Sequence, residues 1–312
     1  MNFLSILDLT AQDAAGLVLR AREMKEGGFR SELLAGNTVI LVFEKASTRT
    51  RVSFEVGITH LGGRPLFLSS RDSQLGRSEP LKDTARVLSR YGHCLVVRTF
   101  GQDKLEELAR YATIPVVNAL SDTYHPCQVM SDMLTMFERA GNLPGLTVAW
   151  VGDGNNMAHS LMNAAAHFPF SLRLACPEGF EPDPGIVENA RALGADVTLT
   201  RDPEEAVAGA RFVHTDVWAS MGQEDEQQAR EKAFAGFQVN RRLLAAAAPD
   251  CEVLHCLPAH RGEEIDEETF EANADCIFEQ AENRLHMQKA LLEHLFAGQR
   301  FDEAAAERLI SR

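Results

Sequence analysis

Ser47-Thr48-Arg49-Thr50-Arg51 sets three hydroxyls and two guanidiniums side by side. Hydroxyls donate O–H groups, and a guanidinium offers a planar fork that matches two oxygens of a phosphate. The chemistry this run suits is the grip of a tetrahedral anion, with either Arg49 or Arg51 as the fork. A capped helix start with two solvated arginines is the plainer reading. The neighbours favour the socket. Thr38-Val39-Ile40-Leu41-Val42-Phe43 is apolar and β-branched after Gly36-Asn37, which predicts a buried strand. Phe54, Ile58 and Leu61 recur at helical spacing before Gly62-Gly63, which predicts a helix with a glycine stop. A strand that turns into a helix aims free N–H groups and a positive dipole end at one point.

A second set of reactive residues lies further along. Gly152-Asp153-Gly154-Asn155-Asn156 follows the strand Thr147 to Val151 and is a fragment of a glycine-rich nucleotide turn. It has two of the three glycines, and the next strand runs into Ala175-Cys176-Pro177 with no acidic residue. Asp216 follows Phe212 to Thr215 and suits either an amine or a helix cap. Beyond it, Gln223 to Arg230 reads as a charged, mobile segment. Cys256 ends the apolar strand Val253 to Cys256, where a cysteine is ordinarily a small core residue. His255 and His260 lack a third ligand nearby in the sequence, and the six cysteines show no zinc spacing, so no metal is expected. Arg284 opens what reads as the closing helix.

These groups need a scaffold. The chain has 312 residues, 45% hydrophobic and 24% charged, enough for two domains. A formal net charge of −14 argues against nucleic acid and acidic membrane partners. The scattered cysteines read as reduced thiols, and the N-terminus has no secretory pattern, so a soluble, cytoplasmic protein is expected. Strands at Pro65–Leu68, Cys94–Val97 and Val116–Ala119 alternate with helices at Leu81–Tyr91 and Lys104–Ala112, after a first helix over residues 5–30. His125-Pro126-Cys127-Gln128 reads as a loop before a helix from Val129 to Ala140. A break at Gly141-Asn142-Leu143-Pro144-Gly145 precedes renewed alternation, with Ala245 to Ala248 read as helix interior. The fold class expected is α/β: two domains, each a mostly parallel sheet flanked by helices, with a C-terminal helix returning to the first. The domains are placed at residues 1–140, with the helix 285–312 packing back, and at 141–284. Ligands on such sheets sit beyond the carboxyl ends of strands, which gathers the Ser47 socket, Arg98 and His125.

In combination and order, Ser47-Thr48-Arg49-Thr50-Arg51, His125-Pro126-Cys127-Gln128, the Gly152-to-Asn156 turn, Asp216 with Ser220-Met221-Gly222, and His255-Cys256-Leu257-Pro258 resemble the aspartate/ornithine carbamoyltransferase family, its ornithine branch in particular. The likeness spans nearly the whole chain. An aspartate-specific member would carry His-Pro-Leu-Pro-Arg in place of His-Cys-Leu-Pro. The resemblance implies transfer of a carbamoyl group from carbamoyl phosphate to the δ-amine of L-ornithine, with no cofactor and no metal. It implies that Ser47, Thr48, Arg49 and Thr50 hold the phosphate and that Arg98, His125 and Gln128 hold the carbamoyl end. Arg284 touches the same substrate, and Cys256 and Leu257 close around the reacting group. Gln74, in the polar loop from Ser69 to Glu79, reaches a neighbouring subunit's site, so a homotrimer with shared sites is implied. Asn156, Asp216, Ser220 and Met221 bind ornithine. Arg98, His125, Asp216 and Cys256 are the catalytic set. Some relatives carry a lysine where this chain has Ser78. Within the family the rival substrate is another amine such as putrescine; outside it the rival is a dinucleotide-binding oxidoreductase centred on Gly152 to Asn156.

Overall fold

The computed structural model describes residues 1–69, 79–219, 227–298 and 301–311. The chain divides into two compact units, Met1–Leu134 with Glu282–Arg308, and Thr135–Ala281 with Leu309–Arg312.

In the first unit, a 3-10 turn at Ile6–Asp8 precedes helix α1 (Ala11–Glu26). Alternation then runs β1 (Thr38–Phe43), α2 (Thr48–His60), β2 (Arg64–Ser69), α3 (Leu81–Tyr91), β3 (Cys94–Arg98), α4 (Gln102–Tyr111), β4 (Val116–Leu120) and α5 (Pro126–Ala140). The single first helix expected over 5–30 is split, because Ser5 and Thr10 each cap a separate start with side-chain oxygens. The strands form one parallel sheet in the order β2-β1-β3-β4. Ile40, Val42, Leu95, Val97 and Val116 pack with Ala85, Leu105 and Leu108 of α3 and α4. From β1 the chain moves outward to β2, and from β3 it moves the opposite way to β4. The connections therefore diverge between β1 and β3, which opens a crevice at their carboxyl ends. The β3–β4 register shifts between Val97, opposite Asn118, and Arg98, opposite Leu120; this bulge leaves Ala119 without a partner.

The second unit runs β5 (Thr147–Val151), α6 (Asn156–His167), β6 (Ser171–Ala175), α7 (Pro184–Ala192), β7 (Asp196–Thr200), α8 (Pro203–Val207), β8 (Phe212–Thr215), α9 (Gln227–Ala233), α10 (Arg241–Leu244), β9 (Glu252–His255) and α11 (Glu267–Ala272). Its parallel sheet has the order β7-β6-β5-β8-β9, with the divergence between β5 and β8. Ala149, Val151, Val213 and Val253 meet Trp218, Phe234, Phe237 and Phe270 in its core.

The C-terminal helix expected over 285–312 is instead two helices, α12 (Ala274–Ala297) and α13 (Glu303–Ile310). Arg284 thus lies within α12 and does not open it. The cause is a buried face carrying Gln280, Asn283, Arg284, Gln288 and Lys289, which hides the helical period from a hydropathy reading. Ala245 to Ala248 is not helix interior. Ala246 accepts from Gly209 N–H and Ala248 donates to the Ala210 carbonyl, which draws the run off the end of α10.

Candidate functional site

At the crevice of the first unit, Ser47 caps α2: its hydroxyl accepts from the Thr50 amide at 3.3 Å. Thr50 is buried, and its Oγ1 accepts from Arg284 Nη2 at 2.6 Å. The two arginines of the run separate. Arg51 donates to Glu55 at 2.9 Å and lies 3.7 Å above the Phe67 ring, so its guanidinium is committed. Arg49 makes no ion pair among the described residues. Of the two forks left open by the sequence, Arg49 is the one available to an anion.

Arg98, at the end of β3, is buried beside this helix start, with its carbonyl accepting from the Glu44 amide at 2.8 Å. His125 is buried as well. Desolvation holds its pKa well below the usual imidazole value, and the charges of Arg284 and Arg98 push it the same way. The ring is therefore neutral at pH 7 and adds a neutral donor beside two cations. The expected His125–Gln128 loop is shorter than the sequence suggests. Proline at the first helical position starts α5 at Pro126, so Gln128 sits on the first turn. Gln128 Nε2 donates to Asp132 at 2.9 Å, while its buried Oε1 has no partner among the described residues. That oxygen is an acceptor in a site otherwise rich in donors.

In the second unit, the turn after β5 and the end of β8 converge. Asn155 caps α6 through Oδ1 and donates Nδ2 to Asp216 Oδ2 at 3.2 Å. Asp216 Oδ1 accepts from the Val217 amide at 2.9 Å and from the Cys256 thiol at 3.0 Å. Asp216 is thus no helix cap, and Cys256 lies one residue beyond β9 rather than in it. Asn156 is the first residue of α6, beside Asn155. Gly154 is required by chain crossing. A Cβ there would sit 2.2 Å from Pro182 N, and its amide already donates to the Phe180 carbonyl at 2.8 Å. The glycine makes way for protein backbone, not for a pyrophosphate, which removes the main support for a dinucleotide site.

Leu257 is held with φ 60, in the left-handed region a leucine rarely adopts, and is followed by a cis bond to Pro258. A buried chain fixes it. Leu257 N–H donates to His255 Nδ1 at 2.9 Å, so the imidazole proton is on Nε2 and donates to Glu264 at 2.9 Å. Glu264 Oε1 also accepts from the His260 amide at 2.6 Å. His255, Asp216 and Cys256 bring ligand-type atoms within 4.8 Å of one another, a grouping the sequence alone did not display. With one nitrogen accepting and the other donating, however, His255 has no lone pair for a metal.

Arg230 is not part of a free charged segment. It is buried and donates to Asp153 at 2.8 Å and to the Trp218 carbonyl at 2.8 Å. The pairings Asn155–Asp216, His255–Glu264 and Asp153–Arg230 escaped the sequence reading, although His255, Asn155 and Asp153 lie in motifs it singled out. Gln74, Ser220 and Met221 lie outside the described residues.

A model of the carbamoyl-P binding domain of aspartate/ornithine carbamoyltransferases matches residues 1–138, and a model of the Asp/Orn binding domain matches residues 144–295. The chain belongs to the aspartate/ornithine carbamoyltransferase family. A protein of Oleidesulfovibrio alaskensis named ornithine carbamoyltransferase is 59% identical over 95% of this chain and 99% of its own length. Among solved structures, the anabolic ornithine carbamoyltransferase of Campylobacter jejuni superposes with a TM-score of 0.91 at 43% identity, covering 94% of this chain and 98% of its own. The ornithine carbamoyltransferase of Pyrococcus furiosus gives a TM-score of 0.90 at 44% identity, covering 96% and 98%. The α/β fold of two helix-flanked parallel sheets is thus shared with this family. No helix among the described residues is long and apolar enough to cross a membrane.

Proposed function

We propose that this member of the family carbamoylates L-ornithine: carbamoyl phosphate and L-ornithine give L-citrulline and inorganic phosphate. The observation that carries the proposal is that one unit holds a donor-rich anion crevice and the other, at its topologically equivalent place, a carboxylate–thiol pair. The names of the most similar relatives support ornithine over putrescine as the amine.

Ser47, Thr48, Arg49 and Thr50 hold the phosphate, helped by the N-terminus of α2. Arg98, His125 and Thr50 donate toward the carbonyl oxygen, where negative charge grows in the tetrahedral intermediate. Gln128 Oε1 accepts from the carbamoyl amide, and Arg284, already on Thr50, adds a further cation. Ornithine arrives as an ammonium, since a free alkyl amine has a pKa of about 10.4. Asp216 holds that ammonium, and Cys256 sits against the same carboxylate to relay the proton. Asn156, Ser220 and Met221 hold the amino-acid end. The freed nitrogen lone pair then attacks the carbonyl carbon, the carbon–oxygen bond to phosphate breaks, and the leaving phosphate takes the remaining proton. Leu257, fixed by His255, presents its backbone to the reacting group.

The enzyme is further proposed to be a cytoplasmic homotrimer in which Gln74 enters a neighbour's site. Val52 and Val56, one turn apart on α2, and Leu66 on the edge strand β2 are all exposed, and this apolar surface suits a second copy. All six cysteines are free thiols, which fits a reducing compartment. The decisive experiment supplies the purified protein with carbamoyl phosphate and either L-ornithine or putrescine. Citrulline as the dominant product supports the proposal; carbamoylputrescine as the dominant product, or no product from either amine, overturns it. Light scattering reads the trimer.

A further inference from the structure

The anion crevice of the first unit contains a carboxylate, which is electrostatically out of place. Glu44 lies between β1 and the Ser47 cap, its side chain only 14% exposed. It accepts from the Thr99 hydroxyl and from Lys104 Nζ through both oxygens, at 3.1 and 3.2 Å, while its amide donates to the Arg98 carbonyl. Thr99 follows Arg98 directly and donates its own amide to Leu120, at the end of β4. Beside it, Lys45 pairs with Asp122 and lies 4.4 Å above the Phe100 ring. The three strand ends that carry the phosphate socket, Arg98 and the lead into His125 are therefore laced together through Glu44 and its neighbours.

We infer that Glu44 and Lys104 act as a neutralised brace: Glu44 is a positioning residue that sets Arg98 against the Ser47–Thr50 socket, and Lys104 cancels the negative charge this requires beside a bound dianion. The inference rests on carbamoyl phosphate binding in this crevice. Its sign is specific. Lys104→Met strands a carboxylate near the anion and harms binding most. Glu44→Gln keeps an acceptor for Thr99 but turns an amide donor toward the Lys104 ammonium, a smaller injury. Removing both partners removes the unpaired charge, so the double variant recovers part of what Lys104→Met loses.

The test measures carbamoyl phosphate affinity by calorimetry, and the KM of each substrate from citrulline formation, in the parent, E44Q, K104M, K104R and E44Q/K104M proteins, with thermal melting to show that each is folded. The expected result is an increase of about ten-fold in the carbamoyl phosphate Kd for K104M, a few-fold for E44Q and for the double variant, near-parent behaviour for K104R, and an ornithine KM within two-fold throughout. K104M within two-fold of the parent, or losses that multiply in the double variant, would overturn the brace. A parent protein that does not bind carbamoyl phosphate would instead refute the underlying assignment, a distinct outcome.

Discussion

The two crevices occupy the same topological place, where neighbouring parallel strands send their connections in opposite directions, yet they are built by opposite means. The first is made of positive charge and donors: a helix start, Arg49, Arg98, Arg284 and a neutral His125. The second centres on one negative group, Asp216, held by Asn155, Val217 N–H and Cys256. Charge in the first is carried by the residues that line the crevice themselves. Geometry in the second depends on buried partners behind the site, Glu264 behind His255 and Arg230 behind Asp153. An anion socket tolerates modest misplacement because several donors share the load; a single carboxylate that must meet one nitrogen does not.

Substitutions can break this contrast, and the largest effect should come from the charge-rich side. Arg49→Ala is expected to lower citrulline formation by roughly 10²–10³-fold with the fold intact. Arg51→Ala, which removes a guanidinium already spent on Glu55 and Phe67, should stay within a few-fold. Equal losses from the two, in steady-state assays, would mean that the structure has not told the forks apart. On the other side, Glu264→Ala leaves the buried His255 Nε2–H, and the part-buried His260 amide, without an acceptor. It should cost about 3 kcal/mol in denaturant unfolding and loosen Leu257, so that kcat falls as well. Cys256→Ala is expected to cut kcat/KM for ornithine about ten-fold and leave carbamoyl phosphate affinity nearly unchanged; equal damage to both substrates would remove the thiol from its place beside the amine.

Without any substitution, pH probes both units at once. Two buried histidines, one in each unit, are held neutral by desolvation with large shifts: His125 well below its ordinary pKa, and His214 in β8 down to about 3. Unfolding frees each ring to take a proton near pH 6.5. The stability tied to neutrality is therefore complete above that value and lost as pH falls below it, at about 1.4 kcal/mol per pH unit for each histidine. Urea titrations from pH 7 to 5 should show this slope, and His214→Gln should reduce it by one proton's worth.

Legibility followed the same divide. The first crevice could be read because its hydroxyls and arginine are contiguous and follow an apolar strand whose end was placed correctly. α3, β5 and β8 likewise matched their expected limits, each being a strong pattern between glycine or polar stops. What the sequence hid was pairing over distance: Asn155 with Asp216, Arg230 with Asp153, and which of two adjacent glutamates meets His255. Buried polar residues also disguised elements, since the inward face of α12 carries amides and a guanidinium where a hydropathy pattern requires apolar side chains. At Gly154 the residue type was informative but its cause was not: the crowding comes from Pro182, a neighbour in space and not in sequence.

The unpartnered Ala119 has a consequence of its own. A variant shortened by that one residue would let β3 and β4 run together without interruption, and the sheet would gain regularity. The same deletion would leave Leu120 opposite Arg98 and shorten the chain between Asn118 and the loop before His125 by one residue. Such a protein should keep its sheet and turn over less, a separation that thermal melting beside citrulline assays would read.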